Sequence, residues 1–407
     1  MLDLRAFSAL TEVSLGGNNF NGSIPQYIGQ LSELCVLDLS RNNFHGVVSE
    51  THLAKLDKLE ILDLSHNSLV LHFAPDWSPT FQLNEILLSG CNVGPSFPKW
   101  IQTQKHFSLL DLSRANIADE APTWLWSLSP LVEAIYLFDN QITGIVMNLS
   151  SSIRDIDLTN NSISGHIPLL PANVEISQLS GNIFFGSVSS ICKTRHDQLV
   201  LLDISNNQLA AEVPNCWEKM PNLHYLNLAN NSFFGEIPHS LGSLRDLFVL
   251  QLRGNRLSGG FPSSLGHCQG LELFDVAGNE LTGEIPTWTG QMYYMEFLNL
   301  GRNELVGSIP VEICNLTYIK VLDLSVNNLS GRIPDCFNNF TSLAQENIPT
   351  NISRRGYILN FYYNDHLPNV VMPKYYDAYS LVQWKGHESE YRGNLYEGID
   401  FLESIIE

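Results

Sequence analysis

The sequence predicts an α/β repeat, a solenoid of similar coils with a parallel β-sheet along its concave face. The main observation is a Leu-x-x-Leu-x-Leu-x-x-Asn pattern that recurs along most of the 407 residues. The second is its spacing, which is a constant 24 residues from Asn207 to Asn327. Because a single coil of this size cannot bury its own apolar face, each coil must share a core with its neighbours.

The composition narrows the classes of protein that remain. Lys and Arg number 22 against 42 Asp and Glu, a net charge of −20 that disfavours a broad nucleic-acid surface. With 44% hydrophobic and 16% charged residues, the chain is too apolar for a disordered acidic tail. No apolar stretch reaches the roughly 18 residues of a membrane span. The first residues, Met1–Arg5, lack a basic region followed by an apolar run, so we do not expect them to belong to a signal peptide.

An asparagine ladder defines the repeats. The leucines of each short strand alternate into the shared core, and the Asn that follows can satisfy buried backbone groups from coil to coil. Cys91 and Ala115 stand at two further ladder positions, so 14 repeats are predicted, with weak bonding at Cys91 and a local defect at Ala115. The ladder asparagines are Asn18, Asn42, Asn67, Asn140, Asn161, Asn182, Asn207, Asn231, Asn255, Asn279, Asn303 and Asn327.

A second block, Leu-x-Gly-x-Ile-Pro, follows many of the asparagines. Glycine permits a positive φ at a tight bend, and proline fixes an extended or turn segment on the convex side. Clear copies are Gly22–Pro25, Gly235–Pro238, Gly283–Pro286, Gly307–Pro310 and Gly331–Pro334. Tryptophans that lie beside such prolines are expected to pack on the coil edge: Trp100, Trp124, Trp126 and Trp217.

The repeat divides the chain into three predicted parts. Residues 1–340 form the solenoid of about 14 repeats of about 24 residues, and the leucine ladder then disappears. Residues 341–394 are rich in Tyr and Asn and are interpreted as a non-repeat island with a function. Residues 395–407 look like the start of a truncated further repeat.

The Gly-x-Ile-Pro block resembles the plant-specific class of leucine-rich repeats. Finer motifs resemble the plant receptor-like proteins, a family of cell-surface immune receptors: Ser89–Asn92, Phe97–Trp100, Pro122–Trp126, Val213–Trp217 and Ile333–Phe337. The spacing from Tyr376 to Lys385-Gly386 matches the Tyr-x8-Lys-Gly motif of that family's island. The resemblance covers essentially the whole chain and implies a right-handed solenoid.

The resemblance also implies a function. Such an ectodomain binds a peptide or protein ligand, in this family a microbial one, on its concave face and island. It signals in defence through a recruited co-receptor kinase and an adaptor kinase at the extracellular side of the plasma membrane. Family parts absent from this sequence include the signal peptide, closing repeats and membrane helix, so we expect a fragment; a truncated receptor is the other interpretation.

Other classes of protein stay open. A secreted inhibitor of microbial wall-degrading enzymes shares the repeats but needs no island, and a receptor kinase ectodomain whose kinase is missing shares both. An intracellular sensor needs neither cystines nor glycans. No catalytic or metal motif is found, so we expect neither an enzyme nor a cofactor.

Cysteines and sequons favour an extracellular compartment. Cys192 and Cys216 lie one coil apart, as do Cys314 and Cys336, and both pairs are predicted disulfides because one coil brings Cα atoms within reach. The remaining cysteines are predicted free thiols: Cys35, Cys91 and Cys268. Glycosylation is expected at Asn21, Asn148, Asn315 and Asn351, whereas sequons beside the ladder at Asn160, Asn230 and Asn328 are disfavoured.

Candidate ligand contacts are positions where the concave face departs from the repeat consensus, with aromatic and arginine residues expected to be exposed there. From the tenth to the thirteenth repeat these are Tyr225, Asn227, Phe248, Gln251, Arg253, Asp275, Phe297, Asn299 and Arg302; Tyr136 and Phe138 form a similar pair, and Tyr376, Lys385 and Gly386 are the island candidates. An Asp column four residues before the ladder is interpreted as repeat consensus rather than a binding stripe: Asp38, Asp63, Asp111, Asp157, Asp203, Asp275 and Asp323.

Overall fold

A computed structural model describes residues 9–127, 131–339, 378–384 and 387–393. Its central feature is a sheet of 14 parallel strands, in which each strand pairs with the strand of the next coil. The predicted fold class is thus confirmed, and the number of repeats remains a prediction. The strands are β1 Glu12–Ser14, β3 Val36–Asp38, β5 Ile61–Asp63, β7 Glu85–Leu87, β8 Leu109–Asp111, β9 Ala134–Tyr136, β10 Asp155–Asp157, β12 Ile176–Gln178, β14 Leu201–Asp203, β16 Tyr225–Asn227, β18 Val249–Gln251, β20 Leu273–Asp275, β22 Phe297–Asn299 and β24 Val321–Asp323.

A second row of short parallel strands follows the ladder, a feature that the sequence analysis did not predict. It forms three small sheets, whose members begin one to three residues after the ladder position. They are β2 Asn21–Gly22, β4 Asn43–Val48 and β6 Ser68–Leu71; β11 Ser164–Gly165, β13 Ile183–Gly186 and β15 Gln208–Leu209; and β17 Phe234–Glu236, β19 Arg256–Gly259, β21 Glu280–Glu284, β23 Glu304–Gly307 and β25 Asn328–Leu329.

The return path of most coils contains a short 3₁₀ helix. Proline stands at the residue before several of these helices, as at Pro238, where φ is −69° and ψ is 136°. In the described part of the chain the 3₁₀ helices are Gln26–Gln30, Glu50–His52, Lys99–Thr103, Thr123–Ser127, Ser189–Lys193, Trp217–Lys219, His239–Ser243, Ser263–His267, Thr287–Gln291, Val311–Asn315 and Asp335–Asn339.

Glycine has two separate uses in the coil. The glycine of the Gly-x-Ile-Pro block has a positive φ, for example 84° at Gly283, as predicted. A different glycine lets neighbouring return paths approach each other: a Cβ on Gly290 would lie 2.0 Å from the carbonyl oxygen of Glu312. A side chain there would force adjacent coils apart.

One hydrophobic core runs through the solenoid. The middle residue of nearly every concave strand enters it, as Leu226 and Phe274 do with no exposed surface. Trp100, Trp126 and Trp217 are also buried in this core, and Trp124 packs against it. These four tryptophans are therefore structural, as predicted.

The ladder asparagines bond as the sequence predicts. Asn255 Nδ2 donates to the carbonyls of Leu228, Leu252 and Arg253 at 2.9–3.2 Å, and its Oδ1 accepts from the Phe233 amide at 3.0 Å. Each side chain therefore joins its own turn to the preceding coil. Repetition of this arrangement closes the core along one edge.

At Ala115, where a local defect is predicted, the backbone carbonyl takes over the acceptor role of the missing side-chain amide. The amides of Val93 and Gly94 both donate to the Ala115 carbonyl at 3.0 Å. Asn116, the residue after the ladder position, has a positive φ of 56°. In the other described coils the residue at this position does not have a positive φ. At the other exception, Cys91 Sγ donates to the Leu64 carbonyl at 3.2 Å.

Two further strands lie in the predicted island. Strands β26 Ala378–Trp384 and β27 His387–Gly393 pair antiparallel, with Ala378 opposite Gly393. This pairing differs from the parallel strands of the repeats. The predicted boundaries at 340/341 and 394/395 are not tested by the described residues and remain predictions.

Candidate functional site

The candidate site is the concave surface of the 14-stranded sheet. Each strand has three residues, of which the middle one enters the core and the outer two face the concave side. The first and third strand residues therefore form two columns that cross the coils. A third column is formed by the residue two positions after the end of each strand, beside the ladder.

The predicted ligand residues lie together on this face, within β16–β22 or beside it. Tyr225, Phe248 and Phe297 are nevertheless 6%, 6% and 2% exposed, so the expected exposure of these aromatics is wrong. The expected exposure of Tyr136 is wrong for the same reason, since its ring is 1% exposed and packs with Leu109 and Ala134. Arg302 is exposed. The remaining predicted residues from this face are buried: Asn227, Gln251, Arg253, Asp275 and Asn299.

The aromatic residues are part of a continuous apolar stripe. Bulky side chains from successive strands contact one another because parallel strands lie only about 4.8 Å apart. The stripe contains Ile176, Leu201, Tyr225, Phe248, Val249, Leu273 and Phe297, with Val321 packed against it. Four aliphatic members were missed by the sequence analysis, because Leu and Val at these positions do not depart from the consensus; comparing the same position across coils would have found them.

The polar column next to the stripe caps its own turns. The Oδ1 atom of Asp275 accepts from the Ala277 amide at 3.0 Å, and Asn299 does the same for the Gly301 amide at 3.1 Å. Equivalent bonds to the amide two residues later occur at Asp38, Asp63, Asp111, Asp157, Asp203, Asn227 and Asp323. The Asp column thus has a structural role, which supports its interpretation as repeat consensus.

Burial also affects the charge of this column. Loss of solvent raises the pKa of Asp111 and Asp275 to about 7, against the opposing hydrogen bond from the backbone of each turn. The same cause raises the pKa of Asp63 and Asp157 to about 6. The column therefore carries less negative charge near neutral pH than its composition suggests.

Both predicted disulfides are present. Cys192 bonds to Cys216 with a Cα–Cα distance of 5.9 Å, and Cys314 bonds to Cys336 with 5.8 Å. Each bridge joins consecutive coils at or beside their 3₁₀ helices. The free cysteines of the described residues are Cys35, Cys91 and Cys268, and burial raises the pKa of Cys91 and Cys268 to about 12.

The sequons differ in the environment of the nitrogen that a glycan would modify. Asn21, Asn148 and Asn315 are exposed, whereas Asn351 lies outside the described residues. Asn160 Nδ2 donates to Asp139 at 2.8 Å and Asn230 Nδ2 donates to Asn206 at 2.8 Å. A glycan at these last two positions would break a contact between coils.

Three predicted island residues, Tyr376, Lys385 and Gly386, lie outside the described residues, so their assignment remains a prediction. Among the described residues, no group of three or more His, Cys, Asp or Glu could hold a metal ion. Within those same ranges, every helix is too short or too polar to cross a membrane.

Comparisons with known proteins agree with this architecture. The family model "Leucine rich repeat" matches residues 8–69, and a second model of the same name matches residues 222–244, 246–268, 294–316 and 318–340. Receptor-like protein EIX2 of Solanum lycopersicum is 47% identical over 181 residues, which cover 44% of this chain and 18% of that protein. The chain therefore matches about a fifth of that relative's length.

Solved structures give the same result. A TDR receptor superimposes with a TM-score of 0.76 and 28% identity, covering 84% of this chain and 59% of that one. The Arabidopsis receptor kinase HAESA, in complex with the peptide hormone IDA and the co-receptor SERK1, superimposes with a TM-score of 0.72 and 28% identity, covering 83% and 57%. Both matches span most of this chain's repeats.

Proposed function

Since the chain belongs to the leucine-rich-repeat receptor-like proteins of plants, we propose that it is a ligand-binding ectodomain for a peptide or protein. The observation that carries this proposal is the apolar stripe flanked by a polar column on the concave face. An extended peptide could place alternate side chains on the stripe and the column.

The contact residues follow from this arrangement. Arg302 is exposed directly before the ladder residue Asn303. Tyr225, Phe248 and Phe297 supply the aromatic part of the stripe. Buried residues of this kind can take part after small rotations of their side chains, which are common when partners bind. The polar contacts would come from Asn227, Gln251, Arg253, Asp275 and Asn299.

The finer proposal concerns the ligand and the response. We infer a microbial ligand and a defence response, with signalling through a co-receptor kinase and an adaptor kinase at the extracellular side of the plasma membrane. Similarity to EIX2 and to the SERK1-bound HAESA supports a cell-surface receptor. In this proposal the chain binds and does not catalyse, and the island residues Tyr376, Lys385 and Gly386 contribute to recognition.

A direct binding experiment tests the proposal. Random peptides are displayed against the full chain, and recovered peptides are measured with Arg302→Glu and with Arg332→Glu as a control. Arg332 is also exposed, but it lies in the convex Gly-x-Ile-Pro block. We expect Arg302→Glu alone to weaken binding. Equal loss in both variants, or in neither, contradicts a concave site.

The island is tested separately in a receptor that contains it. Lys385→Glu should abolish the ligand response and leave secretion intact. An unchanged response would overturn the assignment of Lys385.

A receptor kinase ectodomain is the second candidate, because HAESA is a receptor kinase. Sequencing the transcript beyond the codon for Glu407 separates the two candidates. A kinase sequence downstream supports the second candidate, and a single membrane helix without a kinase supports the first.

A further inference from the structure

Three exposed tyrosines lie close together in the coils of β22 and β24. Tyr293, Tyr294 and Tyr318 are 53%, 54% and 38% exposed. They lie in the turns that lead from the 3₁₀ helices Thr287–Gln291 and Val311–Asn315 to these two strands. Aromatic side chains grouped on a surface indicate a partner that covers them.

The tyrosines depart from the rest of their column. Tyr294 and Tyr318 stand directly before Met295 and Ile319, which are buried in the core. They lie in adjacent coils, about 4.8 Å apart, because β22 and β24 pair in register. In the earlier described coils the same position is mostly polar: Glu33, Lys58, Gln82, His106, Leu131, Ser152, Asn173, Gln198, Asn222, Asp246 and Gly270.

The solenoid itself makes little use of these rings. Within the described part of the chain, none of the three tyrosine side chains has a hydrogen bond, an ion pair or an aromatic contact. The preceding coil has Gly270 in the position of Tyr294, so no side chain covers that ring from this direction. The patch is therefore available to something that is not part of the folded chain.

A glycosylation sequon lies directly beside this patch. Asn315, Leu316 and Thr317 form the sequon, so that Tyr318 is the next residue. Asn315 and Thr317 are exposed, and the Asn315 side chain forms no hydrogen bond with any described residue. The Thr317 amide donates to the Asn315 carbonyl at 2.9 Å, a tight turn that keeps Asn315 near Tyr318.

We propose that an N-linked glycan on Asn315 packs its first sugar rings on Tyr293, Tyr294 and Tyr318. An N-acetylglucosamine ring has a face of C–H groups that can pack on an aromatic ring, while its hydroxyls remain in water or bond to a tyrosine hydroxyl. The covalent link gives the sugar a high effective concentration, so weak contacts are sufficient. This inference rests on the extracellular location in the proposed function, because N-linked glycans mark secreted proteins.

A glycan in this place would limit how partners approach the solenoid. Tyr294 lies three residues before Phe297, the first residue of β22, so the sugar would stand at the border of the concave face. Because a glycan is bulky and hydrated, this border would be closed to another protein. A peptide would then reach the apolar stripe from the open concave side.

Hydroxyl-radical footprinting, read by mass spectrometry, tests the contact in the full chain expressed through a secretory pathway. Asn339 begins another sequon one coil later, so every sample carries Asn339→Gln. Thr317→Ala removes the glycan while Asn315 and the tyrosines stay unchanged, and the control Ser23→Ala removes the glycan at Asn21 in the first coil. We expect the three tyrosines to be oxidised severalfold faster in Thr317→Ala and at an unchanged rate in Ser23→Ala.

A second measurement separates packing from shielding by a mobile glycan. Endoglycosidase treatment leaves one N-acetylglucosamine on each modified asparagine, and NMR records its sugar protons. Aromatic rings should shift the protons of the sugar on Asn315 upfield, and Tyr318→Ser should reduce this shift. The sugar on Asn148, which has no aromatic residue within three positions along the chain, should show no such shift.

Several results would overturn the inference. Equal tyrosine oxidation with and without the glycan would leave the patch open to a protein partner instead. Unshifted sugar protons at Asn315, or an Asn315 that carries no glycan in the secreted chain, would also overturn it. None of these results affects the concave binding site, which the peptide display experiment tests separately.

Discussion

Replacing Asn279 with alanine tests the physical basis of the ladder. Its Oδ1 atom is the acceptor for the Leu257 amide at 2.9 Å, and its Nδ2 atom donates to the Leu252 and Val276 carbonyls at 3.1 and 2.9 Å. The side chain is 8% exposed, so water cannot easily replace these bonds.

The expected cost follows from what each partner loses. The Leu257 amide loses its acceptor, which costs roughly 2 kcal/mol, since leaving a buried donor unpaired costs about 1–3 kcal/mol. The two carbonyls keep a second donor, Asn255 at 2.9 Å for Leu252 and Asn303 at 3.1 Å for Val276. Loss of the two hydrogen bonds to these carbonyls adds about 1 kcal/mol. The free energy of unfolding should therefore fall by about 3 kcal/mol.

Urea unfolding followed by circular dichroism measures this change, and amide hydrogen exchange at Leu257 measures it locally. Asn222→Ala is the control, because Asn222 is exposed and makes one bond, to the Asp197 carbonyl at 2.8 Å. It should change stability by less than about 0.5 kcal/mol. If Asn279→Ala costs no more than Asn222→Ala, the ladder does not stabilise the solenoid as argued.

Four further results are expected. Cys216→Ser should lower the free energy of unfolding by about 3 kcal/mol, as expected for a loop of 24 residues, whereas Cys35→Ser under the same urea titration should have little effect. Trp217→Ala should cost about 3–5 kcal/mol, because the ring is fully buried, and should leave the selected peptides unchanged in a display experiment. The free energy of unfolding should fall as pH rises from about 4 to 7, because a carboxyl with a raised pKa, such as Asp111 at about 7, binds its proton more tightly in the folded state. Asp111→Asn should make this dependence on pH less steep. An unchanged slope would contradict the burial argument. Mass spectrometry of the chain expressed through a secretory pathway should find glycans at Asn21, Asn148 and Asn315 in preference to Asn160 and Asn230. Full occupancy of Asn230 would contradict the contact of its Nδ2 atom with Asn206.

The architecture was predictable because each repeat imposes the same local pattern of burial and hydrogen bonding. The Leu and Asn positions determine which residues face the core and which join the coils, so the 14 strands and both disulfides follow from spacing alone. Glycine with a positive φ in the second block follows from the same repetition.

Details that depend on neighbouring coils were harder to predict. The exposure of Phe297 was misjudged because a concave side chain is covered by residues one coil away, which adjacent positions in the sequence do not show. The repair at Ala115 depends on the path of residues after the ladder, and Asn116 permits it by adopting a left-handed conformation.

The central claim is that the concave sheet binds the ligand. Hydrogen exchange of the full chain, measured with and without a peptide recovered from the display experiment, tests it most directly. We predict slower exchange in strands β16–β22 and no change in the convex helices His239–Ser243 and Thr287–Gln291. Slower exchange confined to those helices would contradict the account.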